Sequence, residues 1–226
     1  MKKIGNWWCP EDTVLGSITT MIIEESFTCK DSLEKAFRYV KHFNNAIDVG
    51  TWIGDSTEII ANKFLSATGF EASNDVFVCC KKNLEEKNIL NCDLKNLGLS
   101  NLTGEQFFYN GKSNFSGWVS QKESFQEISI SKKILINTAK LDDFNFENID
   151  FIKIDVDSHE GFLLEGAKEF LKKNNPVILI ENKERIHKDR QSSTMPNPVT
   201  VLESLGYTMV EKVAKADFVF IKKGAI

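Results

Sequence analysis

The chain lacks the features that would assign it to the simplest functional classes. Its five cysteines, at 9, 29, 79, 80 and 92, are odd in number and form no CxxC pair. No histidine lies near them, which argues against both a disulfide framework and a zinc site. Buried free thiols in a reducing compartment are the expectation. No basic stripe emerges from 28 basic and 32 acidic side chains, so the formal charge of −4 carries no footprint for nucleic acid or an anionic membrane. Nor does any apolar run approach membrane-spanning length, and Met1 to Pro10 places Trp7, Trp8 and Cys9 where a leader would carry a continuous apolar core. A soluble, cytoplasmic protein is expected. A third glycine is also missing: the dinucleotide pattern G-x-G-x-x-G crowds three together, and the glycine turn of this chain has only Gly50 and Gly54, which disfavours a nicotinamide oxidoreductase.

What is there begins with that turn. The stretch Ala46 to Thr57, AIDVGTWIGDST, reads as buried strand, glycine turn and helix start, with Asp55 or Ser56 as the helix cap. The two glycines are expected to leave room for a ligand against the backbone, and Asp48 ahead of them suits a cationic one. Glu71 follows the next short strand, 17 residues beyond Gly54. An acid roughly 20 residues past the glycines reaches a ribose in doubly wound folds, so the two features together point to a nucleoside.

The rest of the chain repeats the alternation. Leu33, Ala36, Phe37, Val40 and Phe43 recur at helical spacing behind a capping-box pattern at Asp31 and Glu34. Asn74 or Asp75 can cap another helix, and CDLKNLGLS, 92 to 100, reads as a third strand whose exit at Ser100 faces the same crevice. Residues 104–139 break the rhythm with FFY at 107 to 109, a polar GKSNFSGW stretch and alternating Ile128, Ile130, Ile134 and Ile136, which predict a β-rich insertion. Phe151 to Val156 is a buried strand ending among Asp155 and Asp157. An amphipathic helix follows from Gly161 and stops at Pro176, before the strand VILIE. Strands at Tyr207 to Lys212 and Asp217 to Lys222 close an open, three-layered α/β fold. One domain over 1–226 is expected, with residues 1–45 as an N-terminal extension packed on it.

These blocks resemble the FkbM-like branch of the class I S-adenosylmethionine-dependent methyltransferases, over roughly Trp7 to Lys222. The family's D-V-G-x-x-x-G corresponds to Asp48, Val49, Gly50 and Gly54, and its F-E-P to Phe70 and Glu71. K-x-D-V-E-G-x-E with L-x-G-A corresponds to Lys153 through Ala167, P-x-x-x-x-E to Pro176 and Glu181, and L-G-Y to Leu205, Gly206 and Tyr207. Ala72 stands in place of the usual proline, and Asp157-Ser158 in place of Glu-Gly. The resemblance implies a Rossmann-like, seven-stranded sheet in the order 3-2-1-4-5-7-6 with its last strand antiparallel, and S-adenosylmethionine as cofactor.

The site residues expected to bind that cofactor are Asp48, Gly50, Thr51, Trp52, Gly54, Asp55, Glu71, Ser100 and Asp155. Methyl transfer from a sulfonium is an in-line displacement, so the protein must place the acceptor, exclude water and, for an alcohol, remove its proton. His159 is the expected base, with Asp157 and Glu160 beside it, because imidazole titrates near neutrality. A divalent metal would need Asp155, Asp157 and Glu181 to converge; none is expected. The expected activity is O-methylation of a sugar or small-molecule hydroxyl. The alternatives are N-methylation and a cofactor-binding module without transfer activity.

Overall fold

A computed structural model of the protein describes residues 1–13, 16–27, 29–111, 117–120, 130–183 and 195–224. Ile128 and most of the GKSNFSGW stretch lie outside the described residues. In chain order the elements are β1 (Lys2–Ile4), β2 (Trp7–Cys9), α1 (Ser17–Ile23), α2 (Cys29–Phe37), β3 (Asn45–Val49), α3 (Asp55–Lys63), β4 (Ser66–Phe70), α4 (Asn74–Glu86), β5 (Cys92–Lys95) and β6 (Gly98–Leu99). There follow β7 (Gly104–Gly111), β8 (Gly117–Ser120), β9 (Ile130–Ala139), β10 (Ile149–Ile154), α5 (Glu160–Glu165), α6 (Lys168–Asn174), β11 (Val177–Glu181), α7 (Pro198–Ser204), β12 (Tyr207–Lys212) and β13 (Asp217–Lys222). No helix among the described residues is long and apolar enough to cross a membrane.

The central sheet runs β12-β13-β11-β10-β3-β4-β5. Strands β5, β4, β3, β10 and β11 are mutually parallel, and β13 pairs antiparallel with both β11 and β12. Two-residue alternation sends successive side chains to opposite faces. Ile47, Val49, Ile152, Ile154, Ile178 and Ile180 pack on one face with Leu163, Leu164, Phe170, Leu171, Val201 and Leu202 of α5, α6 and α7. On the other face Ala46, Phe151 and Leu179 meet Leu33, Ala36, Phe37, Ile60 and Ala61 of α2 and α3. Asp48 and Lys153 fall on this second face as register partners, so an otherwise apolar layer ends in charge where the strands end.

Several expectations change in the structure. Helix α3 starts at Asp55 behind Gly54 and α4 at Asn74 behind Ser73, so neither Asp55 or Ser56 nor Asn74 or Asp75 is the cap, and neither helix has a side-chain capping bond. The segment 92 to 100 is not one strand: β5 stops at Lys95, and β6 joins a second sheet of order β6-β9-β7-β8 built from the inserted segment. Helix α2 begins at Cys29, so Asp31 sits inside its first turn and does not cap it, while Val40 and Phe43 pack beyond its end. The helix expected from Gly161 is two short helices, broken at Gly166, where an added Cβ would lie 2.1 Å from the carbonyl oxygen of Ser100. The N-terminal hairpin and α1 bury Ile4, Trp7, Cys9 and Ile22 against Ile53 and Cys79, which covers the flank of the turn after β3.

Candidate functional site

Parallel strands deliver their following loops to one edge of the sheet, and a ligand crevice opens where chain direction reverses. Here a cavity of about 280 Å³ opens at the carboxyl ends of β3, β4, β10 and β11, close to the lower end of the range for small-molecule sites. Gly50, Trp52 and Asp55 line it from the β3 turn, Glu71 and Ser73 from the end of β4, and Asp155, Asp157 and His159 from the loop after β10. Glu181 and Lys183 complete that side, Leu97, Leu99 and Phe108 form an apolar wall, and Phe27 and Cys29 reach in from the N-terminal segment.

The β3 turn is held by its own backbone. Gly50 N–H donates to Phe70 O at 3.0 Å, and Gly54, at φ +99°, precedes the first residue of α3. Gly50 also has a positive φ of +81°, and a Cβ there would sit 1.9 Å from the carbonyl oxygen of Asp155. A Cβ on Gly54 would press on Cys80 and Leu84 of α4. The space the two glycines leave is therefore filled by protein, which corrects the expectation that it is kept for a ligand. Their smallness serves the closure of two loops and a helix around the turn.

Asp48 lies beneath this turn, fully buried. Its Oδ2 accepts from Ser56 Oγ at 2.8 Å and Thr57 Oγ1 at 2.7 Å, and Lys153 Nζ stands 3.5 Å from its Oδ1. Lys153 Nζ is also 3.5 Å from Asp155 Oδ2 and donates to Gly50 O at 3.4 Å. Burial works against the lysine's charge, but Asp48, Asp155 and Asp55 outweigh it and hold its pKa above the ordinary value. This ammonium ties the two strand ends together. Lysine in the middle of the apolar run FIKI was the available signal, since a buried lysine requires a carboxylate partner.

Glu71 receives Trp52 N–H on Oε2 at 3.1 Å and Ser73 N–H on Oε1 at 2.9 Å. Burial nevertheless pushes its carboxyl up to about 7, the two backbone bonds opposing. Asp55 likewise has a raised pKa, chiefly from burial, while Cys29 Sγ donates to its Oδ2 at 3.0 Å. Trp52 takes φ +47° as it crosses the cavity edge.

Beyond β10 the loop turns on two left-handed residues, Asp157 at φ +46° and Ser158 at φ +81°. Lys183 Nζ lies 3.7 Å from Asp157 Oδ1 and 2.7 Å from Glu181 Oε2. His159 is fully buried, with Nε2 2.9 Å from Ser100 Oγ, and its ring packs on Phe162.

Of the residues expected to form the site, the structure brings Gly50, Trp52, Asp55, Glu71, Asp155, Asp157 and His159 to the cavity wall. It does not bring Asp48, Thr51, Gly54, Ser100 or Glu160 there. Thr51 is buried, its N–H directed to Phe70 O. Ser100 follows β6, in the second sheet, and meets His159 from behind. Glu160 opens α5 from within the protein: its Oε1 accepts from Ser158 N–H at 3.2 Å, and burial pushes its carboxyl up to about 8. Phe108, Cys29 and Lys183 join the wall from segments whose docking no local pattern announces. Among the described residues no group of three histidine, cysteine, aspartate or glutamate side chains is arranged to hold a metal ion.

Residues 48–209 match the family model described as the methyltransferase FkbM domain. Among solved structures, the chain is similar to a methyltransferase FkbM from Methylobacillus flagellatus KT, with a TM-score of 0.52 and 14% identity over 92% of this chain and 55% of that one. The chain thus spans about half the length of that protein. It is also similar to magnesium protoporphyrin IX methyltransferase from Synechocystis PCC 6803, solved with bound S-adenosylmethionine (TM-score 0.54, 9% identity, 93% of this chain and 86% of that one). A precorrin 8w decarboxylase from Methanobacterium thermoautotrophicum matches as well (TM-score 0.54, 11% identity, 98% and 99%). At such identities these likenesses establish the fold alone. No curated protein matches the sequence.

Proposed function

The chain belongs to the FkbM methyltransferase domain family, and on that premise we propose that it is an S-adenosylmethionine-dependent methyltransferase acting on a hydroxyl of a sugar or small molecule. The observation that carries this reading is the joint lining of one cavity by Glu71 at the end of β4 and by Asp155, Asp157 and Glu181 beyond β10 and β11. The residues present fit such a cofactor. A carboxylate stands at the ribose-type position, Leu97, Leu99 and Phe108 offer an apolar wall to a base, and the acids suit a cationic tail. Bound there, S-adenosylmethionine supplies an electrophilic methyl group on a cationic sulfur.

The chain's own groups hold, orient and exclude water. Glu71 accepts from hydroxyls while its backbone bonds keep the carboxylate in place. Asp55 and Asp155 attract an ammonium or sulfonium charge, and Lys153 prevents the buried acids from repelling one another. On the acceptor side His159 is the proposed base in its neutral form, oriented by Ser100 Oγ, and Asp157 is the proposed hydroxyl-binding carboxylate. Glu160 supports their loop from inside.

Calorimetry with S-adenosylmethionine and with NADH tests the cofactor assignment: binding of the former alone is expected, and binding of NADH alone overturns it. Glu71→Gln is expected to weaken S-adenosylmethionine binding by roughly 1.5–3 kcal/mol, because one amide oxygen cannot replace two carboxylate oxygens. With a hydroxyl acceptor found by panel screening, His159→Asn should keep cofactor affinity and slow transfer about 10²–10⁴-fold. An undiminished rate removes His159 from the chemistry.

A further inference from the structure

The family match begins at Asp48, yet Phe27 and Cys29, from the segment before it, stand in the cavity wall. Cys29 is the first residue of α2, and that helix is firmly anchored. Leu33 and Ala36 are fully buried against the sheet, Ser32 Oγ donates to Asp217 Oδ2 at 2.6 Å, and Lys35 Nζ donates to Val213 O at 3.1 Å. Two residues ahead of the helix, the Phe27 ring meets Trp7 edge-on with centroids 5.2 Å apart. The Cys29 thiol is thus held at a defined place, and it donates to Asp55, with Sγ 3.0 Å from Oδ2.

Asp55 stands where an extended nucleoside would present its tail. Across the central sheet the strand ends follow in the order β5, β4, β3, β10, about 4.8 Å apart. With the base against Leu97 beyond β5 and the ribose on Glu71 beyond β4, the rest of the cofactor lies over the end of β3, where Asp55 opens α3 and lines the cavity. The neighbouring acids are tied by a charge: Lys153 Nζ is 3.5 Å from both Asp48 Oδ1 and Asp155 Oδ2. A thiol is a weak and neutral donor, so it orients a carboxylate without cancelling its charge. Burial raises the Asp55 pKa, and the thiol and the Ser56 N–H oppose it by favouring the ionised form.

Resting on the methyltransferase reading, we propose that Cys29 is a positioning residue supplied by the N-terminal extension: by donating to Asp55 Oδ2 it aims that carboxylate at the α-ammonium group of the cofactor's amino-acid tail. Asp55 is the group that touches the tail, and Cys29 acts only through it. What is recognised is the tail and not the nucleoside, so the pair serves the methyl donor and the thioether product alike.

Titration calorimetry of the full chain with S-adenosylhomocysteine and with 5′-methylthioadenosine separates the two halves of the ligand, because the second keeps the nucleoside and thioether but has no amino-acid tail. The weaker ligand is read by competition against the stronger. Cys29→Ala is expected to weaken S-adenosylhomocysteine about fivefold and to leave 5′-methylthioadenosine within about twofold, so the ratio of the two affinities falls. Cys29→Ser, which keeps a donor at the same place, should restore most of that ratio. Asp55→Ala should lower the ratio further, and adding Cys29→Ala to it should change nothing more, because the thiol has lost the group through which it acts. A ratio left unchanged by Cys29→Ala or by Asp55→Ala, or a Cys29→Ala effect that persists in full beside Asp55→Ala, overturns the proposal while leaving the cofactor assignment intact. Where Cys29→Ala does not fold, Asp55→Ala and Cys29→Ser decide, since the first must lower the ratio and the second must keep it. Failure of both ligands to bind the unmodified protein overturns the cofactor assignment itself, and this reading with it.

Discussion

Two adjacent strand ends build the site by opposite means. After β3 the chain turns on glycine, with Gly50 at φ +81° and Gly54 at φ +99°; after β10 it turns on Asp157 and Ser158, side-chain-bearing residues at φ +46° and +81°. The first turn has to be bare, because the Asp155 carbonyl closes on Gly50 and α4 closes on Gly54. The second has to present groups, and Asp157 directs its carboxylate to the cavity and to Lys183. Ser158 occupies the position where the family pattern carries glycine, and its conformation accounts for that preference: a φ of +81° strains any residue with a Cβ. Its hydroxyl is buried with no hydrogen-bond partner among the described residues. The comparison teaches that a left-handed turn residue is dispensable as glycine only where no neighbouring backbone fills the Cβ position.

The contrast breaks most visibly at Gly50. Gly50→Ala places a Cβ against the Asp155 carbonyl, and either the β3 turn or the β10 loop must move. A loss of more than about 3 kcal/mol in denaturant unfolding is expected, from overpacking and backbone strain together. A variant as stable as the parent refutes the close approach of the two turns.

The buried acids against the two turns, Glu71 beside the first and Glu160 behind the second, predict a smaller effect. A carboxyl whose pKa is raised on folding contributes stability while it keeps its proton. That contribution is complete below the ordinary value of 4.5 and is lost as pH rises through about 7 for Glu71 and about 8 for Glu160. The ligand-free protein should therefore unfold at lower temperature at pH 8 than at pH 5. Glu160→Gln should flatten the upper part of this dependence, as followed by circular dichroism melts at several pH values. A thermal midpoint that rises between pH 5 and pH 8 contradicts the sign.

The smallest change sharpens the comparison. Ser158→Gly removes a strained Cβ and a buried hydroxyl without a described partner, and should stabilise the protein by about 1 kcal/mol. Denaturant midpoints compared at one pH provide the measurement, and a loss of stability shows that the serine is held by a contact outside the described residues.

Much of the architecture could be read along the chain. The run AIDVG, the helix behind it, the position of Glu71 and the strand FIKI all rest on local periodicity and turn chemistry, which neighbouring residues carry by themselves. Elements whose partners are remote depart from their local pattern. The segment 92 to 100 alternates as one strand would, but Gly98 and Leu99 pair with Thr138 and Ala139, so the chain leaves one sheet for another within three residues. The amphipathic pattern after Gly161 continues through Gly166, yet the helix breaks there, where the Ser100 carbonyl occupies the position a Cβ would take.

The chemistry divides in the same way. Local pattern is enough to place the residue types at the strand ends: acids at 48, 71, 155, 157 and 181, glycines at 50 and 54, and a histidine at 159. Alternation also committed Asp48, Lys153 and Asp155 to one face. Tertiary structure alone decided which of these groups face a ligand and which hold the protein together. Asp48 is closed in by Ser56, Thr57 and Lys153, Ser100 is turned to the back of His159, and Glu181 is joined to Asp157 through Lys183. Facing is set by what packs on the other side of a side chain, and those partners come from strands up to about a hundred residues away, beyond the reach of any local pattern.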